Sequence, residues 1–344
     1  MRRLTIGVLV VSLSIVVPAL GGRGRRRRVD LAELFTMQNG WRLHARKLDL
    51  SYSEVSNLDR LAKLGPIEQI DLSESVVESL APLAALKHLE VLNLRDAVVT
   101  DATSFAVLAK LRRLRVLDIS GCRVLDLSML SPLRNLERLS IDRLAVTDLA
   151  PLQGLTRLKQ LVMKQTKVTS LTPLRQLKGL ERLETWGSPI ATLDGLAGLS
   201  KLKTLNLGRS PLRTIDRLRG LTALEQLRLS ETKVRDLRPL AALTRLRVLN
   251  LNYLKTIRDF TPIARLAGLR ELHLVESDCT DAQLATLAPL RRLTRLELER
   301  TKIRLPRSLE PFTQLRFLGL AFTPVGKERI AEVKRLLPAT AITY

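Results

Sequence analysis

Apolar residues recur along most of the chain at fixed intervals, in units that begin with leucine or isoleucine. Most units are 22 residues long, with longer spacings of 25 after Leu89, 23 after Leu246 and 24 after Leu269. The units begin at Ile67, Leu89, Leu114, Leu136, Leu158, Leu180, Leu202, Leu224, Leu246, Leu269, Leu293 and Leu315. A repeat of this period is typical of a solenoid, in which each unit packs only against its neighbours.

Each unit follows the pattern L-x-x-L-x-L-x-x-T/S-x-V/I-x-x-L-x-P-L-x-x-L. The L-x-L segment alternates with period two, which predicts a short strand whose leucines face inward. The later P-L-x-x-L segment places apolar residues three apart, which fits a short helical or 3-10 turn. Proline suits the first position of such a turn, where an N–H would be unpaired anyway. We therefore predict an α/β solenoid with a concave parallel β-sheet and short helical or 3-10 segments on its convex side.

This pattern resembles the 22-residue leucine-rich repeat of bacterial internalins and eukaryotic phosphatase-regulatory proteins, over about residues 43–338. The resemblance implies a horseshoe-shaped fold. The family usually has Asn at the turn after the strand, whereas most turns here have a hydroxyl, which can satisfy backbone groups more weakly. The residues at this position are Ser75, Cys122, Thr166, Ser188, Ser210, Thr232, Ser277, Thr301 and Thr323. Because of this departure, the resemblance does not carry over an internalin partner.

The ends of a solenoid need caps, because they would otherwise expose an apolar face and an open strand edge. Residues 29–66 are predicted to form an N-terminal cap and a degenerate first repeat, with a short helix from Asp30 to Met37 and a strand within Trp41 to Leu50. Residues 67–326 are the repeats. Residues 327–344 are predicted to form a C-terminal cap helix and strand, which we expect to cover Phe317 and Phe322.

Two longer units predict true helices on the convex side. In the unit that begins at Leu89, Thr100 or Asp101 can cap a helix within TDATSFAVLAKL. Residues 279–290 repeat the same device.

Residues 1–28 resemble a signal peptide or an N-terminal membrane anchor. Leu4 to Leu20 are uncharged and mostly apolar, and two arginines precede them. The arginines at 23 and 25–28 argue against clean export, because positive charge resists translocation. We expect an exported or membrane-anchored protein. The alternative is a cytoplasmic protein with a misassigned start.

The formal net charge of +23 raises the affinity for anionic partners. Positions 3, 5, 7 and 8 of each unit are predicted to point out of the concave sheet, and these hold nine basic and eleven acidic residues. The basic excess therefore lies on the rims and the convex side. It is carried there by Lys87, Arg112, Arg113, Arg134, Arg157, Lys167, Lys233, Arg235, Arg291, Arg292 and Lys302. Mixed charge on the concave face favours a protein partner. A rim-bound polyanion, nucleic acid or an anionic surface glycan, is the alternative.

The sequence contains no recognisable catalytic motif. It has three histidines and lacks a Gly-rich phosphate loop, a nucleophile elbow and a Cys-x-x-Cys pair. Cys122 and Cys279 are too few for a disulfide framework and are predicted to be core residues. Four polar residues, Glu271, His273, Glu297 and Glu299, could form a weak metal site, but a solvated polar face explains them as well. We predict no enzyme activity, no cofactor and no metal.

One part of the concave face combines residues that often anchor protein interfaces. Trp186 is at position 7, and Gly208 should leave space beside its indole. Trp, Tyr and Arg dominate the energetics of such interfaces. The predicted partner-binding residues are Trp186, Arg182, Glu184, Lys164, Asn206, Arg228, Asn250, Asn252, Tyr253 and His273. The sequence thus predicts a monomeric, non-enzymatic scaffold for protein–protein interaction, although Trp186 could instead be a filler against its neighbours.

Overall fold

The computed structural model describes residues 13–16, 27–31 and 45–344. They belong to two compact units, one within Met1–Ala145 and the other within Val146–Tyr344. Most of the predicted signal peptide or anchor, residues 32–37 of the predicted cap helix and residues 41–44 of the degenerate strand lie outside the described residues. A search of the described residues finds no helix with the length and apolar character needed to span a membrane.

The described residues of the first unit form ten short strands. They are β1 (Leu13–Val16), β2 (Arg27–Asp30), β3 (Ala45–Asp49), β4 (Ser53–Ser56), β5 (Gln69–Asp71), β6 (Val76–Val77), β7 (Val91–Asn93), β8 (Val98–Val99), β9 (Val116–Asp118) and β10 (Arg138–Ser140). Strands β1, β3, β5, β7, β9 and β10 pair in parallel in that order, and β2, β4, β6 and β8 form a second parallel sheet. Asp30 is the last residue of β2 and pairs with Ser56, and Leu31 is helical, so the helix predicted from Asp30 begins one residue later.

The second unit contains one parallel sheet of nine strands in sequence order. They are β11 (Gln160–Val162), β12 (Arg182–Glu184), β13 (Thr204–Asn206), β14 (Gln226–Arg228), β15 (Val248–Asn250), β16 (Glu271–His273), β17 (Arg295–Glu297), β18 (Phe317–Gly319) and β19 (Ala341–Thr343). The register places equivalent repeat positions side by side, so that Leu183, Leu205 and Leu227 stack in one row. All three are fully buried. The period-two prediction for the strands is confirmed.

Short 3-10 segments return the chain from one strand to the next. In the first unit they are Leu58–Leu64, Ala81–Ala85, Ala102–Lys110 and Ser128–Leu130. In the second they are Ala150–Leu152, Thr172–Gln176, Asp194–Leu196, Asp216–Gly220, Arg238–Ala242, Thr261–Arg265, Pro306–Leu309 and Lys327–Arg329. Proline occupies one of the first two positions in several of these segments, as expected from its missing N–H. The predicted alternation of strands with 3-10 turns is thus confirmed.

The two longer units differ from each other. The α-helix predicted after Thr100 is instead the 3-10 segment Ala102–Lys110, and its cap is Asp101, whose carboxylate accepts the N–H of Thr103 at 3.1 Å. This unit is only three residues longer than 22, which leaves room for one more 3-10 turn. In the other, α1 (Asp281–Thr286) is a true α-helix with a capping box between Thr280 and Gln283.

A short helix and a strand follow the last repeat. A 3-10 turn at Lys327–Arg329 leads into α2 (Ile330–Leu336), whose Ile330 and Val333 are buried. Strand β19 then adds to the sheet beside β18. The last strand edge of the repeat is thereby covered, as a solenoid end requires.

Most hydroxyls at the turn position satisfy backbone carbonyls, as predicted, whereas that of Ser277 has no hydrogen-bond partner. Each typically donates to the carbonyl oxygen three residues earlier, as Ser210 does to Leu207 at 2.7 Å and Thr301 to Leu298 at 2.6 Å. Cys122 takes the same place with its thiol, 3.0 Å from the carbonyl oxygen of Leu94. Burial raises the pKa of both cysteine thiols to about 12, so they are core residues without nucleophilic character.

Candidate functional site

The face of the sheet that carries repeat positions 3, 5, 7 and 8 is called the open face below; in the Leu180 unit these are Arg182, Glu184, Trp186 and Gly187. Position 8 turns the chain out of the strand with a left-handed backbone conformation. The non-glycine residues at this position have φ between 54° and 62°: Tyr52, Glu74, Asp96, Arg143, Gln165, Arg209, Glu231, Tyr253, Glu276, Arg300 and Phe322. Most are residue types that rarely adopt this conformation, and their side chains line one edge of the open face.

Asn and Asp at position 5 hold the chain in place at the end of the strand. Asn206 accepts the N–H of Gly208 at 3.1 Å, and Asn250 accepts the N–H of Asn252 at 3.0 Å. Asn252 accepts the N–H of Val275 in the next repeat at 2.9 Å. Three of the predicted partner-binding residues therefore use their side-chain carbonyl groups to hold the backbone, which leaves mainly the amide groups of Asn250 and Asn252 for a partner.

Trp186 is partly exposed and is held from two sides. The guanidinium carbon of Arg209 lies 5.4 Å from the centre of the indole, within cation–π range. A methyl group on Gly208 would lie only 2.9 Å from Trp186 Cδ1, so the missing side chain is what lets the indole lie against the next strand. The Trp186 indole thus lies between Arg209 and the next strand, and Gly208 provides the space predicted for it.

Glu184 lies beneath this surface. Contrary to the prediction, it is not exposed to a partner. It is 2% exposed, and its Oε2 accepts the amide of Asn206 at 2.9 Å, which is itself buried. Nη2 of Arg182 is 2.8 Å from Oε1, where it balances the carboxylate charge. Glu184 and Asn206 thus lie on the open face, but the prediction that a partner contacts them there does not fit their burial, because both are covered by the hydrogen bond between them and by neighbouring side chains.

The remaining predicted residues lie on successive strands of the second unit. Arg182 and Tyr253 are exposed, while Lys164, Trp186, Arg228, Asn250, Asn252 and His273 are partly exposed. The register aligns Asn206, Arg228, Asn250 and His273 on adjacent strands. Arg209 was not among the predicted partner-binding residues. Its place at position 8, directly after Gly208, is the feature of the sequence that could have indicated it.

His273 belongs to a second polar cluster on the open face. Its Nδ1 is 2.6 Å from Oε2 of Glu297, and Nε of Arg295 donates to Oε1 of Glu297 at 2.8 Å. The hydrogen bond with His273 lowers the pKa of Glu297, whereas burial raises the pKa of Glu299. Within the described part of the chain, no group of three or more His, Cys, Asp or Glu side chains is placed to hold a metal ion.

The C-terminal cap leaves one aromatic uncovered. Phe322 is 79% exposed, so the prediction that the cap covers it is wrong. Strand β19 pairs alongside β18 and does not extend over position 8, where Phe322 lies. Arg300 stacks on Phe322 at 4.8 Å and Arg295 stacks on Phe317 at 4.1 Å, each measured from the guanidinium carbon to the ring centre.

The basic residues that the sequence assigned to the rims and the convex side are all exposed. None of them occupies repeat position 3, 5, 7 or 8.

No protein-family model and no curated protein matches the chain. Several solved structures do. An internalin (inlF) of Listeria monocytogenes is 26% identical over 86% of this chain and 86% of its own, with a TM-score of 0.72. A leucine-rich-repeat protein of Leptospira interrogans is 21% identical over 87% of this chain and 78% of its own, with a TM-score of 0.77.

A third structure matches a smaller part of a larger protein. It is the leucine-rich-repeat ectodomain of a plant membrane receptor kinase from Arabidopsis thaliana, solved in complex with CASPARIAN STRIP INTEGRITY FACTOR 2. It is 19% identical over 82% of this chain and 39% of its own, with a TM-score of 0.59. The matches confirm the predicted fold.

Proposed function

Because the chain is a leucine-rich-repeat protein, we propose that it is a protein-binding scaffold without enzymatic activity, whose partner contacts the open face around Trp186. Scaffolds of this fold typically bind proteins or peptides through an extended strand surface. The plant receptor ectodomain, solved with its bound factor, is one such case. The two cysteine thiols are buried and their pKa values are raised, so neither is an activated nucleophile.

The placement of Trp186 is the observation that supports this site most directly. Interface hot spots are enriched in Trp, Tyr and Arg, and rigid aromatic side chains lose little entropy when they are covered. Trp186 is held by Arg209 and Gly208 before any partner arrives. Exposed Tyr253 and partly exposed Arg228 extend the same surface over the following strands.

We also propose that the protein is exported or held at a membrane through residues 1–28. The uncharged run Leu4 to Leu20 supports this location, and the following arginines favour retention over release. N-terminal sequencing of the mature protein tests it. Cleavage near residue 21 supports export, an intact N-terminus in a membrane fraction supports anchoring, and an intact soluble protein contradicts both.

A capture experiment with matched variants tests the binding site. The full chain is immobilised and exposed to an extract of the cells that produce it, and the retained proteins are quantified by mass spectrometry. Trp186→Ala with Arg209→Ala removes the proposed anchor. Phe322→Ala with Arg300→Ala is the control, because it removes another stacked Arg–aromatic pair elsewhere on the open face.

With the variant of Trp186 and Arg209, we expect the captured amount of one or a few proteins to fall at least about tenfold, since a hot-spot residue contributes about 2 kcal/mol or more. With the control variant of Phe322 and Arg300, we expect the captured amount of the same proteins to stay unchanged. Equal capture by both double variants contradicts the assignment of the site to Trp186.

A further inference from the structure

The rim formed by the starts of the strands, at repeat position 2 and the residues just before it, carries a ladder of ion pairs. Nη1 of Arg46 lies 3.1 Å from Oε1 of Glu68, and Nη2 of Arg115 lies 2.7 Å from Oε1 of Glu137. In the second unit, Nζ of Lys203 lies 2.9 Å from Oε2 of Glu181. Along this rim, cations of one repeat are thus paired with glutamate carboxylates of a neighbouring repeat.

The last of these pairs is that of Lys203 with Glu181, and Glu225 occupies the next position 2. The next residues at position 2 are Arg247 and Arg270, and Arg245 and Arg292 lie just before the strands of their units. All four arginines are exposed, and among the described residues none has a carboxylate within 4.0 Å or a side-chain hydrogen bond. Four guanidinium groups are therefore left without the counter-charge that the same rim provides elsewhere.

These arginines surround a cleft of about 410 Å³, called the arginine cleft below. It is lined by Glu225, Thr244, Arg245, Arg247, Gly268, Arg270 and Arg292. Gly268 contributes no side chain and keeps the cleft open between two repeats. A guanidinium has five N–H donors in a planar fork that matches a carboxylate. Arginines from three repeats thus converge on a space large enough for several residues of an extended peptide.

We propose that the arginine cleft binds an acidic, carboxylate-rich segment of the protein partner. This inference rests on the proposed function, since it names the chemistry of part of that partner. Glutamate carboxylates are the groups that pair with the cations of this rim in the other repeats, so a partner's carboxylates complete the ladder. No aromatic side chain lines the cleft, whereas proteins that bind single-stranded nucleic acid stack bases on aromatics. The carboxylate of Glu225, at one end of the cleft, also repels a uniformly anionic polymer.

Binding of a fluorescein-labelled octaglutamate peptide to the full chain, measured by fluorescence anisotropy at physiological salt, tests the inference. The test variant is Arg247→Gln with Arg270→Gln. The control is Arg213→Gln with Arg235→Gln, which removes the same charge from two exposed arginines in adjacent repeats outside the cleft. None of the four side chains has an ion pair in the described structure, so both variants are expected to fold normally.

We expect the peptide to bind about tenfold more weakly to the test variant and within twofold of wild type to the control, since two partly desolvated ion pairs are lost. Equal weakening in both variants means that net charge alone attracts the peptide, and this overturns the inference. Unchanged binding to the test variant overturns it as well.

Two further comparisons identify the ligand class and separate this inference from the proposed function. If a sulfated polysaccharide or an oligonucleotide of equal charge binds more tightly than the peptide and is lost in the test variant, the ligand class is wrong. The variant with Trp186→Ala and Arg209→Ala is expected to bind octaglutamate normally, even if it loses the captured partner. If this variant loses the peptide while the arginine variant retains it, the acidic segment binds the open face and the cleft is excluded.

Discussion

A single methyl group at Gly195 should disrupt the stacking of the 3-10 segments. Gly195 is buried in the segment Asp194–Leu196, where it lies directly against the backbone of the preceding repeat. A Cβ built on Gly195 would overlap the carbonyl group of Leu171 and lie 2.6 Å from the nitrogen of Thr172. These obstacles are backbone atoms, so a change of rotamer cannot relieve the clash.

The magnitude follows from what has to move. An ordinary contact between a methyl group and backbone needs more than about 3.4 Å, so the two repeats must separate locally by about 1.6 Å. Overpacking of this kind costs about 1–3 kcal/mol, and the upper end applies because the backbone itself is displaced. We therefore expect Gly195→Ala to lower the free energy of unfolding by about 3 kcal/mol.

Gly220→Ala is the matched control, because Gly220 ends the next 3-10 segment and a Cβ there meets no atom within 4 Å. Alanine at such a position should be neutral or stabilise by about 0.5 kcal/mol, through the lower entropy of the unfolded chain. Urea unfolding followed by circular dichroism measures both variants. With a slope of about 3 kcal/mol per molar urea, Gly195→Ala should lower the midpoint by about 1 M. Equal midpoints for the two variants would refute the close approach of these repeats.

Three further predictions test local features. Gln165→Gly should raise the urea midpoint, because a left-handed conformation costs a non-glycine residue about 1 kcal/mol, whereas Gln226→Gly within β14 should lower it. Glu299→Gln should stabilise the folded protein at pH 7 by about 0.5 kcal/mol, which a higher melting temperature would show, because the cost of burying the charged carboxylate is removed. The pKa of Glu299 is raised in the folded protein, so wild type regains this stability as the pH falls through that pKa, and the difference should vanish near about pH 3.5. Both cysteine thiols should resist a thiol reagent in the native state and react only after unfolding, because burial raises the pKa of each to about 12.

The repeat itself could be predicted from sequence because its signal is redundant. The same alternation and the same three-residue spacing recur in every unit, so an irregular unit does not obscure the pattern. The inward leucines, the turn hydroxyls and the capping box at Thr280 all follow from residue type and spacing. These features depend on local geometry, which sequence reports well.

The features that sequence missed depend on what lies one strand away. Glu184 occupies an outward position by count, yet its hydrogen bond with Asn206 on the next strand buries it. Arg209 stacks on Trp186 because Gly208 leaves room, which requires the register of two strands. The left-handed position 8 is hidden because Glu, Gln and Arg there have no preference for that conformation.

The most direct test of the account is hydroxyl-radical footprinting of the protein with and without its captured partner. Oxidation reports the solvent exposure of individual aromatic side chains, and the open face provides both sites and an internal control. We predict that oxidation of Trp186 and Tyr253 falls when the partner binds, while that of Phe322 and Tyr344, both exposed in the free protein, stays unchanged. Unchanged oxidation of Trp186 in the complex would contradict the claim that the partner contacts this part of the open face.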